Sequence, residues 1–195
     1  GCASLPFLGH IVGRDGIAMD PAKVTAVQDW PTPSNVHHVR AFLGLSGFYR
    51  RFVRNYSAIA SSLTDLLQKG KPFSWGSKEQ SAFDALKSAL VSAPILSAPD
   101  FSKEFNLELT TDASDFAIGA VLTQGPKDNL RTIAYLSQKL SGAQLNYPVH
   151  EKEMYAIIRA LQSWRHYLLS GPFTIMTDHK GLEYIQTTKN LSGRR

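Results

Sequence analysis

The stretch "FNLELTTDASDFAIGAVLTQ" occupies residues 105–124. Residues 105–112 alternate apolar and polar side chains, the period-2 pattern of a strand with one buried face. Residues 116–124 form a nearly unbroken apolar run, which reads as a strand buried on both faces. Between them, at the end of the first strand, stands an acid, Asp112. An acid at that point of a strand-turn-strand core needs a physical reason.

Outward from this pair, "RTIAYLSQKL" (131–140) reads as a third strand. "PVHEKEMYAIIRALQSWRHYLL" (148–169) reads as a long amphipathic helix with a stripe of Met154, Ile157, Ile158, Leu161 and Leu168. "FTIMTD" (173–178) is a further strand, and "HKGLEYIQ" (179–186) opens another helix. The order β-β-β-α-β-α predicts a mixed sheet with helices packed on it.

Upstream the periodicity is helical. Residues 5–19 read as a hairpin around the Gly13–Gly16 turn. Asp20 and Pro21 open a helix that Pro31 stops. Ser34 or Asn35 caps a second helix, read through residue 54. A third covers 57–70 and closes at Gly70, and Ser77 with Gln80 has capping-box spacing for a fourth. The Pro/Ser-rich segment 92–102 breaks the pattern and is read as a linker. The expected fold class is therefore α+β or α/β, a small helical module followed by a mixed sheet with flanking helices.

Composition sets the bounds. The 195 residues are 43% hydrophobic, which suits a packed core, and carry a net charge of +5, which suits a polyanionic partner. The single cysteine, Cys2, excludes an internal disulfide and a cysteine-based zinc site. No apolar run is long enough for a membrane span, so an intracellular chain without a membrane partner is expected.

Three acids stand where this element order could gather them: Asp112, Glu153 and Asp178. Such a cluster repels itself unless cations neutralise it, and hard oxygen ligands suit Mg²⁺ or Mn²⁺. Two ions about 4 Å apart can activate a water and stabilise a leaving oxygen in phosphodiester cleavage. The competing explanation is local: Asp112 serves its turn and Asp178 caps a helix. Periodicity leaves the choice between Glu151 and Glu153 open, because both flank the stripe. His150 stands three residues before Glu153, and His179 follows Asp178 with a place for product or proton handling.

On a helical wheel over 36–54, Arg40, Gly44, Gly47, Arg51 and Arg54 share one face, and Phe42, Leu45, Tyr49, Phe52 and Val53 the other. A helix-interior glycine costs roughly 1 kcal/mol relative to alanine. Two on one face suggest close approach of a bulky partner with arginines on its phosphates, or else tight helix packing.

Several segments resemble the C-terminal half of a Gypsy-type (Metaviridae-like) LTR retrotransposon reverse transcriptase–ribonuclease H. They are "FLGHIVGRDGIAMDPAKV", "WPTPSNVHHVRAFLGLSGFYRRFVRNYSAIASSLTDLL", "FSWGSKEQSAFDALKSAL", "TTDASDFAIGAVL", "YPVHEKEMYAIIRALQSWRHYLL" and "TDHKGLEY", in the family's order. The resemblance implies a palm-end, primer-grip-like hairpin (1–19), a thumb (20–91), a linker (92–102) and an RNase H-like domain (103–195). It implies Asp112, Glu153 and Asp178 as catalytic metal ligands for two Mg²⁺ or Mn²⁺ ions, with Glu153 chosen because the family's acid directly precedes the apolar run. It also implies duplex contact through Arg40, Gly44, Gly47, Arg51, Arg54 and His179.

The implied partners are an RNA–DNA hybrid or template–primer duplex and the upstream palm of the same polyprotein, which would carry the polymerase aspartates. A homodimer is compatible with the sequence. The implied location is cytoplasmic and particle-associated, or nuclear. The family's fold continues past "HKGLEYIQ" with a strand, a helix and a fourth acid, so the domain reads as C-terminally incomplete. The expected activity is metal-dependent hydrolysis of the RNA strand of a hybrid. The alternatives are an inactive nucleic-acid-binding module and a host-retained interaction fragment. The acid order Asp, helix Glu, Asp argues against an integrase-like nuclease.

Overall fold

The computed structural model describes residues 4–102 and 106–178. His179 and the helix expected at 179–186 lie outside them.

The N-terminal segment is a three-stranded meander rather than one hairpin: β1 (Ser4–Phe7), β2 (His10–Gly13) and β3 (Gly16–Met19). The extra turn is Leu8–Gly9, with φ of 46° and 77°. Two left-handed residues match the twist of a tight hairpin. Leucine rarely takes that conformation, so the sequence carried no turn signal there.

Asp20 caps α1 (Pro21–Gln28) by accepting from the Ala22 N–H at 2.9 Å. Asn35, not Ser34, caps α2 (Val36–Phe48), accepting from the His38 N–H at 2.9 Å. Helix α2 ends at Phe48 instead of running to 54, and Arg50–Phe52 form a 3-10 turn. The segment read as one third helix is two short ones, α3 (Tyr56–Ile59) and α4 (Ser61–Asp65), entered through a left-handed Asn55. Helix α5 (Ser77–Val91) is capped one residue earlier than expected, where Glu79 Oε2 accepts from the Gly76 N–H at 3.0 Å. These helices enclose an aromatic core. Buried Phe42 meets Phe83 at 4.6 Å and Trp30 at 5.8 Å between ring centres.

The second sheet holds β4 (Leu107–Ala113), β5 (Ala117–Gln124), β6 (Arg131–Lys139) and β7 (Phe173–Met176), in the order β6-β5-β4-β7. Strand β7 runs parallel to β4 and the other pairs are antiparallel. Helices α6 (Val149–Ser163) and α7 (Arg165–Leu168) connect β6 to β7. Leu107, Leu109, Ala120 and Leu122 of the sheet pack with Ala160, Trp164 and Leu168. The buried face of α6 is rotated from the expected stripe: Ala156, Ile157 and Ala160 turn inward, and Ile158 is 42% exposed. Small alanines let the helix backbone lie close to the strands, so they win the inner face over the bulkier Ile158.

The helical module covers the other face of the sheet. Tyr135 packs against its core. The Ser57 N–H donates to Ser137 Oγ at 2.9 Å, and Arg50 donates to the Ser137 carbonyl. Asn55 lies so close to Gly119 that a Cβ there would sit 2.7 Å from its Oδ1. Strand β5 is thus covered on both faces, which is why its sequence does not alternate. Segment 92–102 is no free tether. Leu96 is buried in the helical core and pairs with Ile17, and the Ser97 N–H donates to the Thr132 carbonyl at 2.7 Å. Among the described residues no helix is long and apolar enough to cross a membrane.

Ser137→Ala leaves the buried Ser57 N–H without an acceptor and should lower stability by about 1–3 kcal/mol. Urea unfolding reads this as a lower midpoint with an unchanged slope. The Lys139–Asp65 ion pair at 2.6 Å is about one-third exposed, so Lys139→Ala should have a much smaller effect.

Candidate active site

Strand β4 ends at Asp112 and Ala113, and β7 runs parallel beside it with Thr110 opposite Met176. Two residues further along each chain, Asp112 and Asp178 arrive at the same end of the sheet. Both side chains are exposed.

Glu153 approaches from α6. It is only 4% exposed, and its Oε1 accepts from the Ala113 N–H at 3.2 Å. Its second oxygen, Oε2, is buried without a hydrogen-bond partner. Burial pushes the Glu153 pKa above its ordinary value; repulsion from Asp178 and, more weakly, Asp112 adds to this, while the Ala113 N–H opposes it. Glu153 therefore feels the charge of both strand-end acids. Glu151, which periodicity left as an alternative, lies half-exposed in the first turn of α6.

Among the described residues, no three His, Cys, Asp or Glu side chains are already arranged to hold an ion. The donor set nevertheless fits a hard divalent cation. Three carboxylates offer oxygen ligands, and the orphaned Glu153 Oε2 is the atom that a cation would satisfy.

The basic face is divided. Arg40 and Gly44 are exposed on α2, and a Cβ at Gly44 would meet nothing within 4 Å. Tight helix packing among the described residues therefore does not explain that glycine. A Cβ at Gly47 would lie 3.6 Å from Tyr56 Oη, an ordinary contact. Because α2 ends at Phe48, half-buried Arg51 and exposed Arg54 do not share its face. Arg50, in the 3-10 turn that follows, donates across to the Ser137 carbonyl and lies over the Tyr56 ring at 5.5 Å.

Sequence reasoning also passed over Lys152. It is 6% exposed, and its Nζ lies 3.3 Å from both the carbonyl and Oδ1 of Asp115. The available signal was its place between two glutamates at the edge of the helix's inner face.

Residues 75–175 match the model of the RNase H-like domain found in reverse transcriptase. The chain is 44% identical over 184 residues to the retrovirus-related Pol polyprotein from transposon 297 of Drosophila melanogaster, covering 94% of this chain and 17% of that protein. It is 40% identical over 183 residues to the transposon Tf2-3 polyprotein of Schizosaccharomyces pombe, covering 92% and 14%. The chain thus spans about a sixth of the curated relatives it matches.

Foamy viral protease-reverse transcriptase has the same fold. Its dRH form in complex with double-stranded DNA aligns with a TM-score of 0.79 and 24% identity, over 98% of this chain and 33% of that one. The form in complex with an RNA/DNA hybrid aligns with a TM-score of 0.75 and 24% identity, over 97% and 26%. At that identity the likeness concerns the fold alone. The chain belongs to the RNase H-like domains found in reverse transcriptase, with LTR retrotransposon polyproteins as its relatives, consistent with a Gypsy-type reverse transcriptase–RNase H region.

Proposed function

We propose that this chain hydrolyses the RNA strand of an RNA–DNA hybrid with Mg²⁺ or Mn²⁺, and that its helical module grips the duplex. The observation that carries this reading is the buried Glu153 carboxylate, which has one orphaned oxygen and is repelled by two strand-end acids.

Two divalent ions, when bound, supply an activated water and stabilise the leaving oxygen. Asp112, Glu153 and Asp178 hold them. Glu153 is oriented by the Ala113 N–H, so its free oxygen keeps a fixed position relative to β4. Exposed Asp112 and Asp178 complete the set from the solvent side, where a phosphodiester can approach. RNA is told from DNA through the 2′-OH. Arg40 contacts a phosphate, Gly44 and Gly47 give the duplex room, and Arg51, Arg54 and His179 flank it. In this reading 1–19 is the palm-end hairpin, 20–91 the thumb, 92–102 the linker and 103–195 the nuclease domain. The upstream palm of an intracellular polyprotein is its neighbour.

The test is cleavage of a labelled RNA–DNA hybrid with Mg²⁺, with Mn²⁺ and with chelator. Metal-dependent products support the proposal. Intact binding without products favours the second reading, a grip without cleavage. Arg40→Gln should weaken duplex binding at low salt and reduce the slope of log affinity against log salt by about 1. Fluorescence anisotropy across a salt series measures both.

A further inference from the structure

Helix α6 sends two consecutive side chains to the turn that joins β4 to β5. Glu153 takes the Ala113 N–H on the near side of the turn, and Lys152 reaches Asp115 at its tip. The turn has internal ties of its own: the Ser114 N–H donates to the Ala117 carbonyl at 2.8 Å, and the Ala117 N–H donates to Ser114 Oγ at 3.1 Å. Neither tie fixes the turn relative to the helix. Lys152 does so.

The choice of lysine is telling. Lysine is almost never this buried unless paired, and here one partner is a backbone carbonyl and the other a carboxylate that is 94% exposed. An apolar residue would fill the space without desolvating a charge. What lysine adds is a directed donor to a turn whose first residues follow Asp112.

We propose that Lys152 is a positioning residue for the acid site. Its ammonium clamps the 113–117 turn to α6 and so sets the spacing between Asp112 and Glu153. This inference rests on the metal reading above for its functional consequence, but the clamp itself is independent of any ion. The two roles open to a buried cation beside acids give opposite signs. As a mere countercharge, Lys152 would repel a divalent ion, and its removal would tighten binding. As a clamp, its removal would loosen binding.

The test compares the wild-type 195-residue chain with Lys152→Met, Lys152→Arg and Asp115→Asn. Hydrogen exchange over 112–117 is expected to be about tenfold faster in Lys152→Met, with the helical-core amides unchanged. Mn²⁺ affinity by calorimetry is expected to fall about tenfold. Lys152→Arg is expected to recover most of both, and Asp115→Asn, which keeps the carbonyl acceptor, to stay near wild type. Unchanged exchange in Lys152→Met overturns the clamp, and tighter Mn²⁺ binding overturns it in favour of a countercharge. A wild type that binds no Mn²⁺ defeats the metal reading instead, and the exchange comparison still decides the clamp. Should Lys152→Met fail to fold, Lys152→Gln carries the same comparison.

Discussion

Asp112→Asn and Glu153→Gln should each reduce hybrid cleavage by about a thousandfold, since losing a ligand forfeits several kcal/mol of transition-state stabilisation. Neither should cost the fold. Asp112 is exposed, and a glutamine at 153 keeps an oxygen for the Ala113 N–H. The stability change at 153 has a definite sign. The folded protein holds the Glu153 proton more tightly than the unfolded chain does, because burial and the neighbouring acids raise its pKa. Stability attributable to this group is therefore greatest at low pH. It declines as pH rises from the ordinary glutamate value through the raised one.

Glu153→Gln should accordingly be at least as stable as wild type at neutral pH and lack that decline. Mg²⁺ should raise the wild-type melting temperature at neutral pH by offsetting the same repulsion, and should do so far less in Glu153→Gln. Thermal melts from pH 4 to pH 8, with and without Mg²⁺, set against cleavage rates, check the prediction. A destabilised Glu153→Gln with an unchanged metal response would assign Glu153 a structural role.

The second large effect is on stability. Phe42→Ala should cost about 3–5 kcal/mol, the range for a buried aromatic truncation. Phe42 has no exposed surface and joins α2 to Trp30 and to Phe83 of α5. Removing the ring opens a cavity and loses both aromatic contacts, each carrying about 0.5–1.5 kcal/mol beyond burial. Globular domains hold only about 5–15 kcal/mol in total, so the helical module should loosen measurably. Urea unfolding followed by tryptophan fluorescence reads the loss, and Phe42→Leu should recover part of it.

Some of this was legible in the residues, and the exceptions have physical causes. Alternation in 105–112 and the apolar run in 116–124 placed β4 and β5 correctly, because one face of β4 and both faces of β5 meet apolar layers. Asp20 and Pro21 marked α1 because capping is a local interaction. Long-range contacts were not legible. Helix α2 gives way to a 3-10 turn whose Arg50 reaches residue 137, and α6 buries Ala156 and Ala160 in place of Ile158. In the site, strand-end position and element order brought forward Asp112, Glu153 and Asp178. Periodicity could not choose between Glu151 and Glu153; the resemblance favoured Glu153, and the structure places its carboxylate against β4. Lys152 escaped notice because a lysine at a stripe's edge ordinarily points to water.

The seam between the helical layer and the sheet has a consequence for the order of synthesis. Ser57 and Arg50 find their partners 80 and 87 positions later in the chain. At about 5–20 residues added per second, residue 57 is added roughly 4–16 s before residue 137 exists. Through that interval the surface around Tyr56 and Ser57 has no strand to cover it. A nascent chain of this kind is exposed to chaperones, or to a neighbouring copy on the same messenger, until β6 arrives and closes the seam.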